Sequence, residues 1–194
     1  MSDSKFTIGR ARAYWRHAPS GAGKHDTSIM GAAPDEGLLA EWDDAFRQRF
    51  AGYPEEMTFL RTFGCTTQGK RLLSIGSGLG LHEIYYQSCG AETTCADIVP
   101  TNLEVIRRVS RLKGVGEVQT ILLDGQTLFP DAAFDIIFIY GSLMTMPVAD
   151  QRTMLGNAAR ALAPGGRIVL MLYTWEFARR TCGWDSPDQF DPAV

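Results

Sequence analysis

Histidine and cysteine are scarce in this chain of 194 residues, with three of the first and four of the second. His17, His25 and His82 stand far apart, and none of Cys65, Cys89, Cys95 and Cys182 belongs to a C-x-x-C pair. A structural zinc site needs about four such ligands in clustered spacing, so no metal is expected and the cysteines are expected as free thiols in a reducing compartment. Long apolar runs are missing too. None approaches the roughly 18 residues of a membrane span, and the opening Met-Ser-Asp-Ser-Lys lacks the apolar centre of a secretory signal. Positive charge is not in excess: 19 Lys and Arg stand against 22 Asp and Glu, a net charge of −3, and no basic block occurs. A nucleic-acid partner and a membrane are therefore not expected, and the chain is expected to work in the cytoplasm. What remains, 45% hydrophobic and 21% charged residues, suits a globular domain with one sizeable core.

The chain is organised around Lys70-Arg-Leu-Leu-Ser-Ile-Gly-Ser-Gly-Leu-Gly-Leu-His82. An apolar run from Leu72 to Ile75 meets glycines at 76, 78 and 80, and the glycine-free stretch from His82 to Ser88 ends at Gly90. That is a strand, a tight turn and a helix with a glycine just past its end. Glycine accepts positive φ and carries no Cβ to hold a ligand off the backbone, and the helix start offers unpaired N–H groups. The dinucleotide fingerprint is G-x-G-x-x-G. Here the spacing is G-x-G-x-G, and Leu81 stands where the later glycine would be.

Strands and helices alternate beyond this turn. Thr93–Ile98 reads as a second strand carrying Asp97, and Thr101-x-x-Glu104 as a capping box opening a helix with Leu103, Ile106, Val109 and Leu112 on one face. Val118–Leu123 is a third strand running into Asp124-Gly125, and Phe134–Tyr140 a fourth, apolar enough to be buried on both faces. Pro147–Leu162 is helical, with Val148, Met154, Leu155, Ala158 and Leu162 expected inward. Ala163-Pro-Gly-Gly166 is expected as a turn and Arg167–Tyr173 as a fifth strand. Before the turn, apolar residues at 38, 39, 42, 45, 46, 50 and 53 have helical spacing, and Pro54-Glu-Glu opens a shorter helix. Residues 1 to 36 are polar and broken by glycine and proline. Tyr14 and Trp15 stand out there, either packed on the domain or as part of a lid that excludes water. Such alternation predicts an α/β fold, a three-layer α-β-α sandwich around a mostly parallel sheet. Ligands of such sheets sit at the strands' carboxyl ends, where the glycine turn, Asp97, Asp124 and Tyr140 are all expected.

The G-x-G-x-G turn, the acid ending the second strand, Leu-Asp-Gly125, Phe134-Asp-Ile-Ile-Phe-Ile-Tyr140 and Ala-Pro-Gly-Gly166 together resemble the class I S-adenosylmethionine-dependent methyltransferases, with their Rossmann-like fold, over about residues 70 to 175. The resemblance implies S-adenosylmethionine as cofactor and methyl transfer to the oxygen or nitrogen of a small-molecule acceptor. It implies cofactor contacts at Gly76, Ser77, Gly78 and Gly80 for the methionine part, Asp97 and Ile98 for the ribose, Asp124 and Gly125 for the adenine edge, and Tyr140 beneath the sulfonium. Tyr14, His17, His25 and Tyr140 are the candidate bases, with His82 read as a surface or cofactor-flanking residue; the catalytic group is left open. Two departures stand out. Ser74 occupies a position where the family usually has an acid that organises the methionine amino group. Only 21 residues follow Tyr173, which predicts a core of five strands without the family's last two. Trp175–Cys182 is expected to begin a helix, and the free edge to be covered by a partner chain, a second copy or the N-terminal helices. The division expected is residues 1–64 as polar segment and flanking helices, and 65–194 as the cofactor-binding domain. The competing readings are an accessory methyltransferase-like fold without catalysis and, from the glycine turn alone, an NAD(P)-dependent oxidoreductase.

Overall fold

Each sheet strand alternates its side chains between two helical layers, and this pattern builds the core. The computed structural model describes residues 8–19, 25–173 and 176. Four helices come first: α1 (Ile8–His17), α2 (Thr27–Ala32), α3 (Asp35–Gly52) and α4 (Pro54–Gly64). Then follow β1 (Arg71–Ile75), α5 (Leu81–Ser88), β2 (Glu92–Asp97), α6 (Pro100–Leu112), β3 (Gln119–Leu122), β4 (Phe134–Tyr140), a 3-10 turn (Leu143–Thr145), α7 (Val148–Ala161) and β5 (Leu162–Met171). The sheet order is β3-β2-β1-β4-β5 and every pairing is parallel. Leu72 of β1 with Ile136 and Phe138 of β4 packs against α3, α4, α5 and α6, while Leu73, Ile75, Ile137 and Ile139 face Ala158 and Ala161 of α7. The period of two along each strand thus fills both layers. Met30, Leu38, Trp42, Phe50 and Leu60 belong to the first cluster, so the N-terminal helices share the core of the sheet.

Chain order reverses between β1 and β4, which opens a crevice at their carboxyl ends. At the opposite end Arg71 grips Asp135, Nη2 to Oδ1 at 2.8 Å. That ion pair holds the Asp135 carboxyl down at about 2, and Asp135 is far from the chemistry.

Several local expectations are corrected. Pro100 takes the first helical position of α6 and Val99 its cap; Thr101 is therefore already inside the helix, and its hydroxyl meets Thr27 Oγ1 at 2.9 Å instead of forming a capping box. Glu104 pairs with Arg107. Val148 is 63% exposed rather than inward, because it opens α7 beyond the sheet's cover. Residues 163–166 do not separate helix from strand: Leu162 pairs with Phe134 and Arg167 with Ile136, so Ala-Pro-Gly-Gly is a bulge inside β5. Gly165, at φ +76°, makes that bulge possible. The helix expected from Trp175 to Cys182, and the expectation that no sixth or seventh strand follows, lie outside the described residues.

Candidate functional site

The crevice is a cavity of ≈ 800 Å³, a size that suits a small ligand, walled by the ends of β1, β2 and β4, the segment after β3, and α1. Gly76, Ser77, Gly78, Asp97, Ile98, Asp124, Gly125 and Tyr140 all line it. Gly80 does not. It caps α5 at φ +67°, and a Cβ there would stand 2.7 Å from Ile106 Cγ1; its smallness seats α5 against α6. Gly76 is crowded by the chain as well, for a Cβ on it would stand 2.3 Å from Ser142 Cβ. The Ser142 hydroxyl donates to Ile75 O at 2.6 Å and locks the end of β4 to the end of β1. Trp42 of α3 donates from its indole N–H to Leu79 O at 2.8 Å, holding the turn from the other side.

Asp97 ties the turn to β2. Its Oδ2 accepts the Gly78 N–H at 2.8 Å, and its Oδ1 accepts the Val99 N–H at 2.8 Å and the Asn102 amide at 3.3 Å. Burial pushes its carboxyl up to about 6 against these hydrogen bonds, which favour the charged form. Asp124 folds onto its own loop instead, with Oδ1 accepting from the Thr127 hydroxyl at 2.7 Å and the Gln126 N–H at 2.9 Å, contacts that hold its carboxyl below the ordinary range. Below the turn, Ser74 donates to Glu83 Oε1 at 2.6 Å. Ser74 does not line the cavity, whereas Glu83 does. Sequence reasoning missed Glu83. Its one signal was an acid in the first turn of an otherwise apolar helix segment.

The α1 helix lies across the opening. Arg12 donates from Nε to Ile98 O at 2.7 Å and from Nη2 to Leu123 O at 3.0 Å, bridging the carboxyl ends of β2 and β3. Tyr14, Trp15 and Pro19 line the cavity, and a Cβ on Gly78 would stand 2.2 Å from Pro19 O. These contacts join the packed-segment and lid readings into one: the helix is packed on the domain as the cover of the crevice. Arg12→Ala removes two charge-assisted hydrogen bonds of about 1.5–3 kcal/mol each in gross terms. Amides of residues 9–17 are expected to exchange with deuterium about tenfold faster, with the sheet's exchange unchanged; equal rates in α1 would show that the latch does not hold.

Of the proposed bases, Tyr14 and Tyr140 line the cavity; His17 and His25 do not. His17 pairs with Asp26, and His25 is buried 3.5 Å from Glu41. The surface reading of His82 is corrected: it is buried, its ring 4.5 Å from that of Tyr140 and 5.3 Å from that of Phe50. Burial, with Arg49 nearby, drives its imidazole down to about 3. It is neutral at physiological pH, its Nε2 without a partner, and α5 turns it inward because positions 82 and 86 share a face. Tyr140 is pushed up to about 12 by burial and by the Glu56 carboxylate. Arg49 forks onto that carboxylate at 2.8 Å through both nitrogens. Among the described residues no cluster of His, Cys, Asp and Glu could hold a metal, and no helix is long and apolar enough to cross a membrane.

This cleft has relatives. Residues 73–170 match the methyltransferase domain family. A demethylmenaquinone methyltransferase of Thermus thermophilus is 36% identical over 105 residues, 53% of this chain and 46% of that protein. An O-methyltransferase of Penicillium expansum is 34% identical over 53% of this chain and 38% of that protein. Among solved structures, an S-adenosylmethionine-dependent methyltransferase of Thiobacillus denitrificans in complex with S-adenosylhomocysteine is 27% identical at a TM-score of 0.51, covering 68% of this chain and 56% of that one. The chain spans about half the length of the curated relatives it matches. A match over half the sequence, falling on the glycine turn, the parallel sheet and the crevice between β1 and β4, assigns the chain to the class I S-adenosylmethionine-dependent methyltransferases.

Proposed function

We propose that this protein transfers a methyl group from S-adenosylmethionine to a small aromatic acceptor of the phenol or hydroquinone class. The observation that carries the reading is a cleft lined by two unlike sets of residues. One set is the glycine turn, Asp97 and Asp124-Gly125; the other is apolar and aromatic, with Tyr14, Trp15, Met144, Met146, Tyr140 and Met171. The first set fits the cofactor: Asp97 and Glu83 are buried acids with no ion-pair partner among the described residues, and S-adenosylmethionine brings two cationic groups and a ribose diol. The relatives that methylate quinone precursors or oxygen support the acceptor class for the second set.

Bound S-adenosylmethionine supplies an electrophilic methyl group on sulfur. In this reading Asp97 accepts from the ribose hydroxyls, Ile98 packs beside them, Asp124 and the Gly125 N–H hold the adenine edge, and Gly76, Ser77 and Gly78 offer backbone to the methionine part. Tyr140 stands beneath the sulfonium, and α1 excludes water above it. Efficient proton transfer needs a group with a pKa near the working pH. Tyr140 at about 12 and His82 at about 3 lie on either side of neutrality. Neither of these two is matched to general-base work near neutrality, and in this reading both align the acceptor. The cytoplasm as working compartment, and a partner chain or second copy along the outer edge of β5, belong to the same reading.

Calorimetric titration with S-adenosylmethionine and S-adenosylhomocysteine, followed by transfer of labelled methyl to panels of phenols, hydroquinones and amines, tests it. Micromolar binding with label on phenols or hydroquinones is expected. Well-folded protein that binds neither compound would favour the accessory fold, and label on amines alone would overturn the acceptor class.

A further inference from the structure

We propose that Glu83, rather than any residue at position 74, supplies the carboxylate that receives the α-ammonium group of S-adenosylmethionine. This rests on the methyltransferase reading. Ser74 is sealed beneath the glycine turn at 1% exposure and does not reach the cavity, while Glu83, 3% exposed, forms part of its wall. The Ser74 hydroxyl donates to Glu83 Oε1 at 2.6 Å and so orients the carboxyl from below. Glu83 lies in the first turn of α5, where the helix's exposed N–H groups favour negative charge, and the backbone N–H groups of Glu83 and His82 add to that preference. A carboxylate buried without a cation is costly, and a ligand cation offsets the cost.

The groups facing Glu83 bring no compensating charge. Asp97 lies across the turn as a second acid, and Cys95 of β2 and Tyr86 of α5 are kept neutral by burial. His82 beside it is neutral, and among the described residues no lysine or arginine forms an ion pair with it. Burial accordingly pushes the Glu83 carboxyl up to about 7 from its ordinary 4.5. Because the folded value exceeds the unfolded one, the folded state holds the extra proton, and stability falls as pH rises from about 4.5 through about 7. Glu83→Gln removes that loss, as a bound ammonium group would. Unliganded Glu83→Gln is expected to gain in melting temperature over the parent protein between pH 5 and pH 8.

Three probes separate the charges: S-adenosylmethionine (ammonium and sulfonium), S-adenosylhomocysteine (ammonium only) and 5′-methylthioadenosine (neither). In calorimetric titrations Glu83→Gln is expected to weaken the first two about tenfold or more, the scale of one charge-assisted contact, and the third less than about twofold. Parent affinity for S-adenosylhomocysteine is expected to rise roughly fivefold to tenfold from pH 6 to pH 7.5 as Glu83 ionises. The slope should shrink in Glu83→Gln to what Asp97 contributes. The double variant Ser74→Asp with Glu83→Gln returns an acid beneath the turn, out of reach of the cavity, and is expected to stay weakened towards the two ammonium-bearing probes. Equal weakening of all three probes, or of none, would overturn the proposal, as would weakening of S-adenosylmethionine alone, which would assign Glu83 to the sulfonium. Parent protein that binds none of the three would overturn the methyltransferase reading itself.

Discussion

Asp97→Asn is expected to lower the affinity for S-adenosylmethionine about a hundredfold or more and to cost about 1–3 kcal/mol of stability. Asparagine keeps the shape of the side chain but offers one acceptor oxygen in place of two. Asp97 uses both, Oδ2 for the Gly78 N–H and Oδ1 for the Val99 N–H and the Asn102 amide. Whichever way the amide is turned, one backbone N–H in a buried turn faces an NH₂ group, and an unsatisfied buried donor costs about 1–3 kcal/mol. The loss of charge is felt in binding as well, because an anionic acceptor holds a diol more strongly than a neutral one. Calorimetry for affinity and urea unfolding for stability separate the two effects. Binding within threefold of the parent would show that Asp97 serves the turn alone.

Gly76→Ala is expected to cost about 2–5 kcal/mol of stability. Position 76 holds φ +78°, a region where an L side chain costs about 1–2 kcal/mol. Its new Cβ would stand 2.3 Å from Ser142 Cβ, overpacking of the kind that costs about 1–3 kcal/mol. The two contributions can be separated. Ser142→Gly vacates the contact but also removes the hydroxyl bond to Ile75 O, so the double variant should recover the steric share and keep the backbone share. A double-mutant cycle by denaturant unfolding reads the coupling directly. Additive losses would mean that Ser142 moves aside freely.

Strand positions and layer were legible because apolar alternation is a local signal: Phe134–Tyr140 coincides with β4, and the glycine turn falls where β1 ends. Asp97, Asp124 and Tyr140 could be placed at one edge because parallel strands all end on the same side. Side-chain partnerships were not legible. Nothing in the spacing of Ser74 and Glu83 tells that a helix turn brings the second above the first, nor that Arg12 spans 86 positions to meet Ile98 O. His82 reads as a surface or cofactor-flanking residue because a lone histidine in a first helical turn usually is one; it does line the cavity, but the aromatic wall of Phe50, Phe138 and Tyr140 that encloses it is assembled from two elements distant in sequence, α3 and β4. The capping box failed for a plainer reason, since Pro100 starts the helix two residues before the position that a Thr101 cap would set.

The anchorage of α1 bears on how such a site can diversify. Arg12 is held by the carbonyl oxygens of residues 98 and 123, groups that every amino acid possesses. Side chains at those positions, and among the methionines and aromatics of the lining, can therefore be exchanged without unfastening the cover. Selectivity for what the cavity holds and retention of the roof above it are separable traits here, open to redesign one at a time.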